Sequence, residues 1–196
     1  MNQLFSTQLH HFPGRNNYNP DIVFSNKETP QDDKMKNKSA SKEPDLKKDP
    51  LYIILADDDE DDRELFAEAM QESGHKIKLD FAEDGKELLA ILDAAEKELP
   101  HMIFLDLNMP NKSGKECLEY IRQSVRLKDI PIIIYSTSSS TQDIDETFEK
   151  GANLYISKPT SYNDLLSMAK NVLAFNWNDY LPKTSKNQFV FYRKKR

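Results

Sequence analysis

The sequence predicts a doubly wound α/β fold built on a five-stranded parallel sheet. Two observations predict it. Strand-like and helix-like patterns alternate five times between residues 51 and 176. The strand segments are continuous apolar runs, as a parallel sheet covered on both faces requires. Right-handed crossovers then put helices on both sides of that sheet.

Each element has its own signal. Leu51–Ala56 reads Leu-Tyr-Ile-Ile-Leu-Ala, a buried-strand run. Beyond an acidic stretch, Leu65, Phe66, Ala69 and Met70 recur at helical spacing, and Gly74 closes that helix. Lys76–Phe81 alternates as a second strand. Asp84-Gly85 opens a helix with Leu88, Leu89, Ile91, Leu92 and Ala95 on one face. Met102–Leu105 is the third strand, after Pro100. Cys117, Leu118, Ile121 and Val125 are expected to share the buried face of the third helix. Ile132–Tyr135 is the fourth strand, behind Pro131. Ile144 and Phe148 are the only large apolar residues of the fourth helix, which Gly151 ends, so this helix is expected to be mobile. Leu154–Ile156 is a short fifth strand. Ser161 with Asp164 starts the fifth helix as a variant of the capping box. That helix carries Leu165, Leu166, Ala169, Val172 and Leu173.

The flanks differ in kind. Residues 1–50 are rich in Asn, Lys, Asp, Ser and Pro and show no apolar period. Such a segment cannot bury enough surface to offset its ordering entropy, so a disordered tail is expected. Residues 177–196 are too few for another globular domain. Trp177, Tyr180 and the run Phe189-Val190-Phe191-Tyr192 are expected to fold this tail back over the domain, aromatics down.

Charge and composition exclude several functions. The formal net charge is −6, but residues 51–177 hold 13 basic and 25 acidic groups, a net of −12. A field of that sign repels phosphate backbones, so no nucleic-acid partner is expected. Arg193-Lys194-Lys195-Arg196 is a short basic cluster with no folded reader behind it. One cysteine, Cys117, allows neither an internal disulfide nor a zinc cluster. The five glycines are too scattered for a dinucleotide or P-loop fingerprint. No apolar run is long enough to cross a bilayer, and residues 1–15 do not resemble a signal peptide. A cytoplasmic protein with no membrane partner is therefore expected.

The informative polar residues stand at strand ends. Asp57 and Asp58 end the first strand, Asp106 the third, Ser136 the fourth and Lys158 the fifth. In an open parallel sheet these ends gather at one edge, where α/β proteins bind ligands. Three carboxylates brought together repel, and must bind protons or a cation. Mg²⁺ suits a few carboxylates plus a phosphate. A lysine and a hydroxyl beside them suit the remaining phosphoryl oxygens. The set describes a phosphoryl-transfer site with an acidic nucleophile and no nucleotide cradle.

From about residue 51 to 176 the chain resembles the receiver domain of two-component response regulators. The resemblance rests on Asp57-Asp58, Asp106 with Asn108-Met109-Pro110, Ser136, Tyr155 and Lys158-Pro159, in that order. It implies a flavodoxin-like sheet of strand order 2-1-3-4-5. It implies Asp106 as the phosphoacceptor, attacking a phosphohistidine of a histidine kinase or histidine phosphotransfer protein. Asp58 is then a direct Mg²⁺ ligand, Asp57 a ligand through water, and the backbone carbonyl of Asn108 completes the protein's share. Lys158 pairs with the phosphoryl group, Ser136 turns inward to hydrogen-bond it, and Tyr155 follows as the switch aromatic. Two positions depart from the family's habit: Thr137 stands where a small residue is preferred, and Thr160 where an aromatic is common. With no output domain in view, a stand-alone regulator is expected. It would signal to a downstream protein through the face of the fourth helix, fifth strand and fifth helix.

Other readings fit less well. A dehalogenase-type phosphatase also uses a strand-end aspartate and Mg²⁺, and is the alternative. Asp106 lacks its second Asp two residues on, where Asn108 stands. A calcium loop over Asp57–Glu68 lacks the glycine its sharp turn needs, with Asp62 in that place. Asp59–Asp62 reads as a solvated helix start, favoured by the helix dipole.

Overall fold

The computed structural model describes residues 50–94, 98–175, 177 and 186–191. The expectations for residues 1–49, Ala95, Tyr180, Tyr192 and the terminal basic cluster fall outside these residues. The elements run β1 (Leu51–Ala56), α1 (Glu60–Glu72), β2 (Ile77–Ala82), α2 (Gly85–Asp93), β3 (Met102–Leu105), α3 (Gly114–Gln123), β4 (Ile132–Ser136), α4 (Thr141–Glu149), β5 (Leu154–Ser157), α5 (Tyr162–Leu173), α6 (Lys186–Phe189) and β6 (Val190–Phe191). The strand order is β2-β1-β3-β4-β5-β6, and every neighbouring pair is parallel. The sheet thus has six strands rather than the expected five. The extra one is two residues long, with Val190 and Phe191 opposite Tyr155 and Ile156. So short a pairing leaves no period in the sequence, and only contact with β5 defines it.

The strand runs are continuously apolar because successive residues enter two different cores. Tyr52, Ile54, Ile103, Leu105, Ile132, Ile134 and Tyr155 face one side, where Leu88 and Leu92 of α2, Leu118 and Ile121 of α3 and Ile144 of α4 cover them. Ile53, Leu55, Met102, Phe104, Ile133, Tyr135, Leu154 and Ile156 face the other, under Phe66 and Met70 of α1 and Leu165, Met168 and Val172 of α5. Phe66 packs edge-on against Phe104, with ring centroids 4.8 Å apart, and against Tyr135 at 5.4 Å. β2 is half-exposed along its length, as suits its place at the sheet's margin.

Helix starts are set by polar side chains. Asp59, Asp84, Ser113, Ser140 and Ser161 each accept a backbone N–H three residues on, capping α1 to α5. Ser113 and Glu116 form a full capping box. Two expected core positions are exposed. Val125 lies beyond the end of α3 and is 86% exposed, because Ser124 has left the helical conformation. Leu65 is 46% exposed, at the margin of the apolar face of α1. His101, given no role from sequence, accepts the Tyr52 N–H on Nδ1 at 3.0 Å and so anchors the approach to β3.

Gly114 has a role that only packing reveals. A Cβ there would lie 2.0 Å from the Asp106 carbonyl oxygen. The first turn of α3 therefore rests directly on the backbone of residue 106, and the Gly114 N–H donates to Leu107 at 3.1 Å. Gly114→Ala is expected to lower stability by about 1–3 kcal/mol through forced backbone movement. Urea denaturation measures it, and an unchanged midpoint would refute the close approach.

Candidate functional site

Asp57, Asp106 and Lys158 sit one step past their strand ends, and the sheet's own ladder continues to hold them. Asp57 N–H donates to Ala82 at 3.0 Å, Asp106 N–H to Ala56 at 2.9 Å, and Lys158 N–H to Ser136 at 2.9 Å. These bonds lock the loops after β1, β3 and β5 to neighbouring strands. Asp57, Asp58 and Asp106 meet there, with one carboxylate oxygen from each lying within 4.8 Å of the others. Asp57 is fully buried, Asp106 is 5% exposed and Asp58 is open to solvent. A closed floor with one open side suits a hard cation that keeps several of its waters. The three donors are all carboxylate oxygens, with no sulfur or imidazole among them, which favours Mg²⁺ or Mn²⁺ over softer metals.

Lys158 supplies the positive charge. Its Nζ is 2.7 Å from Asp57 Oδ2, 2.7 Å from Asp62 Oδ2 and 3.3 Å from Asp106 Oδ2, and the side chain is only 8% exposed. Burial works against its charge. Hydrogen bonds to Asp57 and Asp62, with the charge of Asp106, outweigh that and raise its pKa. Burial also raises the pKa of Asp57, and the bond from Lys158 only partly offsets it. One ammonium cannot neutralise four carboxylates, so the site keeps an excess of negative charge that a divalent cation would relieve.

Asp106 is oriented by its own loop. Oδ1 accepts from Leu107 N–H at 2.6 Å and from Asn108 N–H at 3.4 Å. Asn108 itself is exposed beside the cluster. Across the sheet, Ser136 is fully buried while Thr137 is exposed. The two neighbouring hydroxyls therefore lie in different environments. Tyr155 is buried, and its hydroxyl donates to the Ser138 carbonyl at 2.9 Å. That bond ties β5 to the loop leading into α4.

The start of α4 is tied to α3 as well. Lys115 pairs with Asp143 at 2.7 Å and with Glu146 at 2.6 Å. Hydrogen bonds from Lys115, Ser138 and Ser140 hold the Asp143 carboxyl down to about 2. α3 rests on the backbone of Asp106, so a continuous path of contacts runs from that residue to α4.

The model of the response regulator receiver domain family matches residues 53–170, more than half of the chain. The chain belongs to that family. This receiver is 32% identical over 135 residues to the probable methanogenesis regulatory protein FilR2 of Methanothrix harundinacea (strain 6Ac), a match covering 66% of this chain and 87% of that protein. It is also 32% identical over 130 residues to response regulator Rcp1 of Synechocystis sp. (strain ATCC 27184 / PCC 6803 / Kazusa), covering 64% and 88%. Among solved structures, the Mn²⁺-bound form of Rcp1 superposes with a TM-score of 0.60 at 31% identity, over 69% of this chain and 98% of that one. The phosphorylated cyanobacterial phytochrome response regulator RcpA gives 0.61 at 30% identity, over 70% and 98%. The fold is thus that of a flavodoxin-like receiver, with β6 added at one edge.

The structure gathers Asp57, Asp58, Asp106 and Lys158, and Ser136 joins them through its backbone carbonyl, which accepts the Lys158 N–H. Asp62, assigned to a solvated helix start, is bonded to Lys158. Asp62 lies in the first turn of α1, three residues after the cap Asp59. A helix springing from β1 carries such a residue back over the strand ends. Nothing in a run of like charges says which of them turns inward.

Proposed function

We propose that this receiver accepts a phosphoryl group on Asp106 from the phosphohistidine of a histidine kinase or histidine phosphotransfer protein. The observation that carries this is the nearly buried Asp106 carboxylate, with Lys158 at 3.3 Å and two further carboxylates within 4.8 Å. An Asp106 oxygen forms the bond to phosphorus as the bond to the donor's imidazole nitrogen breaks. The leaving imidazole takes a proton and keeps its electron pair. Lys158 then faces the phosphoryl oxygens. Asp58 and Asp106, the Asn108 carbonyl and, through water, Asp57 would hold Mg²⁺. Bound there, Mg²⁺ supplies the charge that lets an anionic donor approach.

Ser136 and Tyr155 fit the role of switch residues. Ser136 lies at the end of the neighbouring strand, and the Tyr155 hydroxyl holds the loop that enters α4. We place the output on the face of α4, β5 and α5, where a downstream protein would read the change. Residues 51–176 would form the receiver unit, with residues 1–50 and 177–196 as extensions. The role is signalling in the cytoplasm, not turnover of a substrate. Among the described residues no helix is long and apolar enough to cross a membrane. The net charge of −12 over residues 51–177 speaks against nucleic acid. No relative named above favours the phosphatase alternative, and Asn108 stands where that chemistry wants an acid.

The test is phosphoryl uptake from acetyl phosphate or a phosphorylated histidine kinase, read by intact mass. EDTA should prevent it. Asp58→Ala should weaken Mg²⁺ binding at least tenfold, since a carboxylate 4 Å from a divalent cation is worth about 2 kcal/mol even in water, twice the value for two unit charges. Asp57→Ala should weaken it less. Equal Mg²⁺ affinity in all three proteins would refute the ligand assignment.

A further inference from the structure

Lys158 has more partners than its task requires. An ammonium group has three N–H donors; Lys158 places one in a hydrogen bond to Asp62 and is ion-paired with Asp57 and Asp106. Nζ lies over the Tyr135 ring, 5.6 Å from its centroid, which limits where the head can go. Nζ stands nearer to Asp57 and Asp62, at 2.7 Å each, than to Asp106 at 3.3 Å. A phosphoryl group on Asp106 brings new oxygens that need a donor. To reach them the ammonium must turn away from one of its present partners.

Exposure decides which one. The Asp57 side chain is 0% exposed, and breaking its pair would strand a desolvated carboxylate. The Asp62 side chain is 37% exposed and can be rehydrated as the lysine leaves. Asp62 also lines the small cleft beside the site, with Leu65, Pro159 and Tyr162. Its negative charge therefore faces any anionic donor entering from that side.

We propose that Asp62 is a positioning residue for phosphoryl acceptance: it holds Lys158 against α1 until phosphoryl oxygens on Asp106 compete the lysine away. The inference rests on Asp106 being the acceptor. It adds a residue of this chain that sets how readily Lys158 is recruited. Asp62 transfers no proton and touches no phosphorus. Its effect is a competition for one N–H.

The experiment uses the full chain and beryllofluoride, a phosphoryl mimic that also needs Lys158. Asp62→Asn should bind beryllofluoride about fivefold more tightly, the scale of a partly exposed ion pair. It should also take up phosphate from acetyl phosphate faster, with Mg²⁺ held saturating for each protein. Asp62→Glu should return both readouts toward the parent value. Asp62→Ser, which also keeps a polar residue in the first turn of α1, repeats the test should the Asn variant fold poorly. Unchanged beryllofluoride affinity overturns the proposal. So does weaker binding, which would mean that Asp62 only props α1. Failure of the parent chain itself to take up phosphate would instead overturn the acceptor reading.

Discussion

Asp106→Asn is expected to take up no phosphoryl group from acetyl phosphate in Mg²⁺, while the parent chain takes up one. The amide is nearly isosteric, so the fold should persist and the melting temperature should shift little. What disappears is the nucleophile. The carboxylate oxygen 3.3 Å from Lys158 is replaced by a group that cannot form an acyl phosphate. Asp57 and Asp58 cannot substitute. Asp57 is sealed from solvent, with Oδ1 taken by the Asp59 N–H at 3.2 Å and Oδ2 2.7 Å from Lys158. Asp58 is open but lacks the lysine contact. Intact-mass measurement over the time course decides it. Undiminished uptake in the Asn variant would move the acceptor elsewhere and remove the basis of the proposed function.

Phe189→Ala is expected to be among the most destabilising single changes in the described chain. Phe189 is 0% exposed, although it belongs to a segment far from the domain in sequence. Its ring packs edge-on to Phe148 of α4, with centroids 5.0 Å apart, and to Tyr155 of β5 at 6.1 Å. Truncating a buried Phe loses its transfer free energy and leaves a cavity, together about 3–5 kcal/mol. For a domain of this size that is a fall in Tm of roughly 10 °C or more. The segment is short and near the end of the chain, so part of the loss could appear as undocking rather than global unfolding. Amide exchange separates the two, since undocking would speed exchange in β5 while leaving β1 and β3 protected. Partly buried Phe191 is the control, and its Ala variant should cost less. A Tm within about 1 °C of the parent would show that the ring contributes no packing, far below the usual cost of such a truncation.

Position explains which parts of the molecule were legible in the sequence. Strands β1, β3 and β4 were clear because both their faces are buried, so each reads as an unbroken apolar run. The strand-end chemistry was clear because Asp57, Asp58, Asp106, Ser136 and Lys158 each lie within two residues of the end of an apolar run. Strand order was not contained in periodicity, and entered through the resemblance to receivers. Val125 was misplaced because a helical period does not announce where the helix stops. Here the stop is Ser124, whose N–H bonds back to Tyr120 and Ile121 while its own conformation turns extended.

By itself the sequence determined the alternation of five strands and five helices, and the set of polar residues at one edge of the sheet. These are local properties. Side-chain period, caps and the residue that follows each strand are written within a few positions of one another. Tertiary structure alone decided three things. It made Val190 and Phe191 a sixth strand, by setting them beside Tyr155 and Ile156. It required glycine at 114, where the Asp106 carbonyl leaves no room for a Cβ. It turned Asp62, alone among the acids that open α1, onto Lys158, 96 residues away in the chain. Each depends on a contact between distant segments, and pairing across such distances leaves no period or spacing in the chain for a sequence to display.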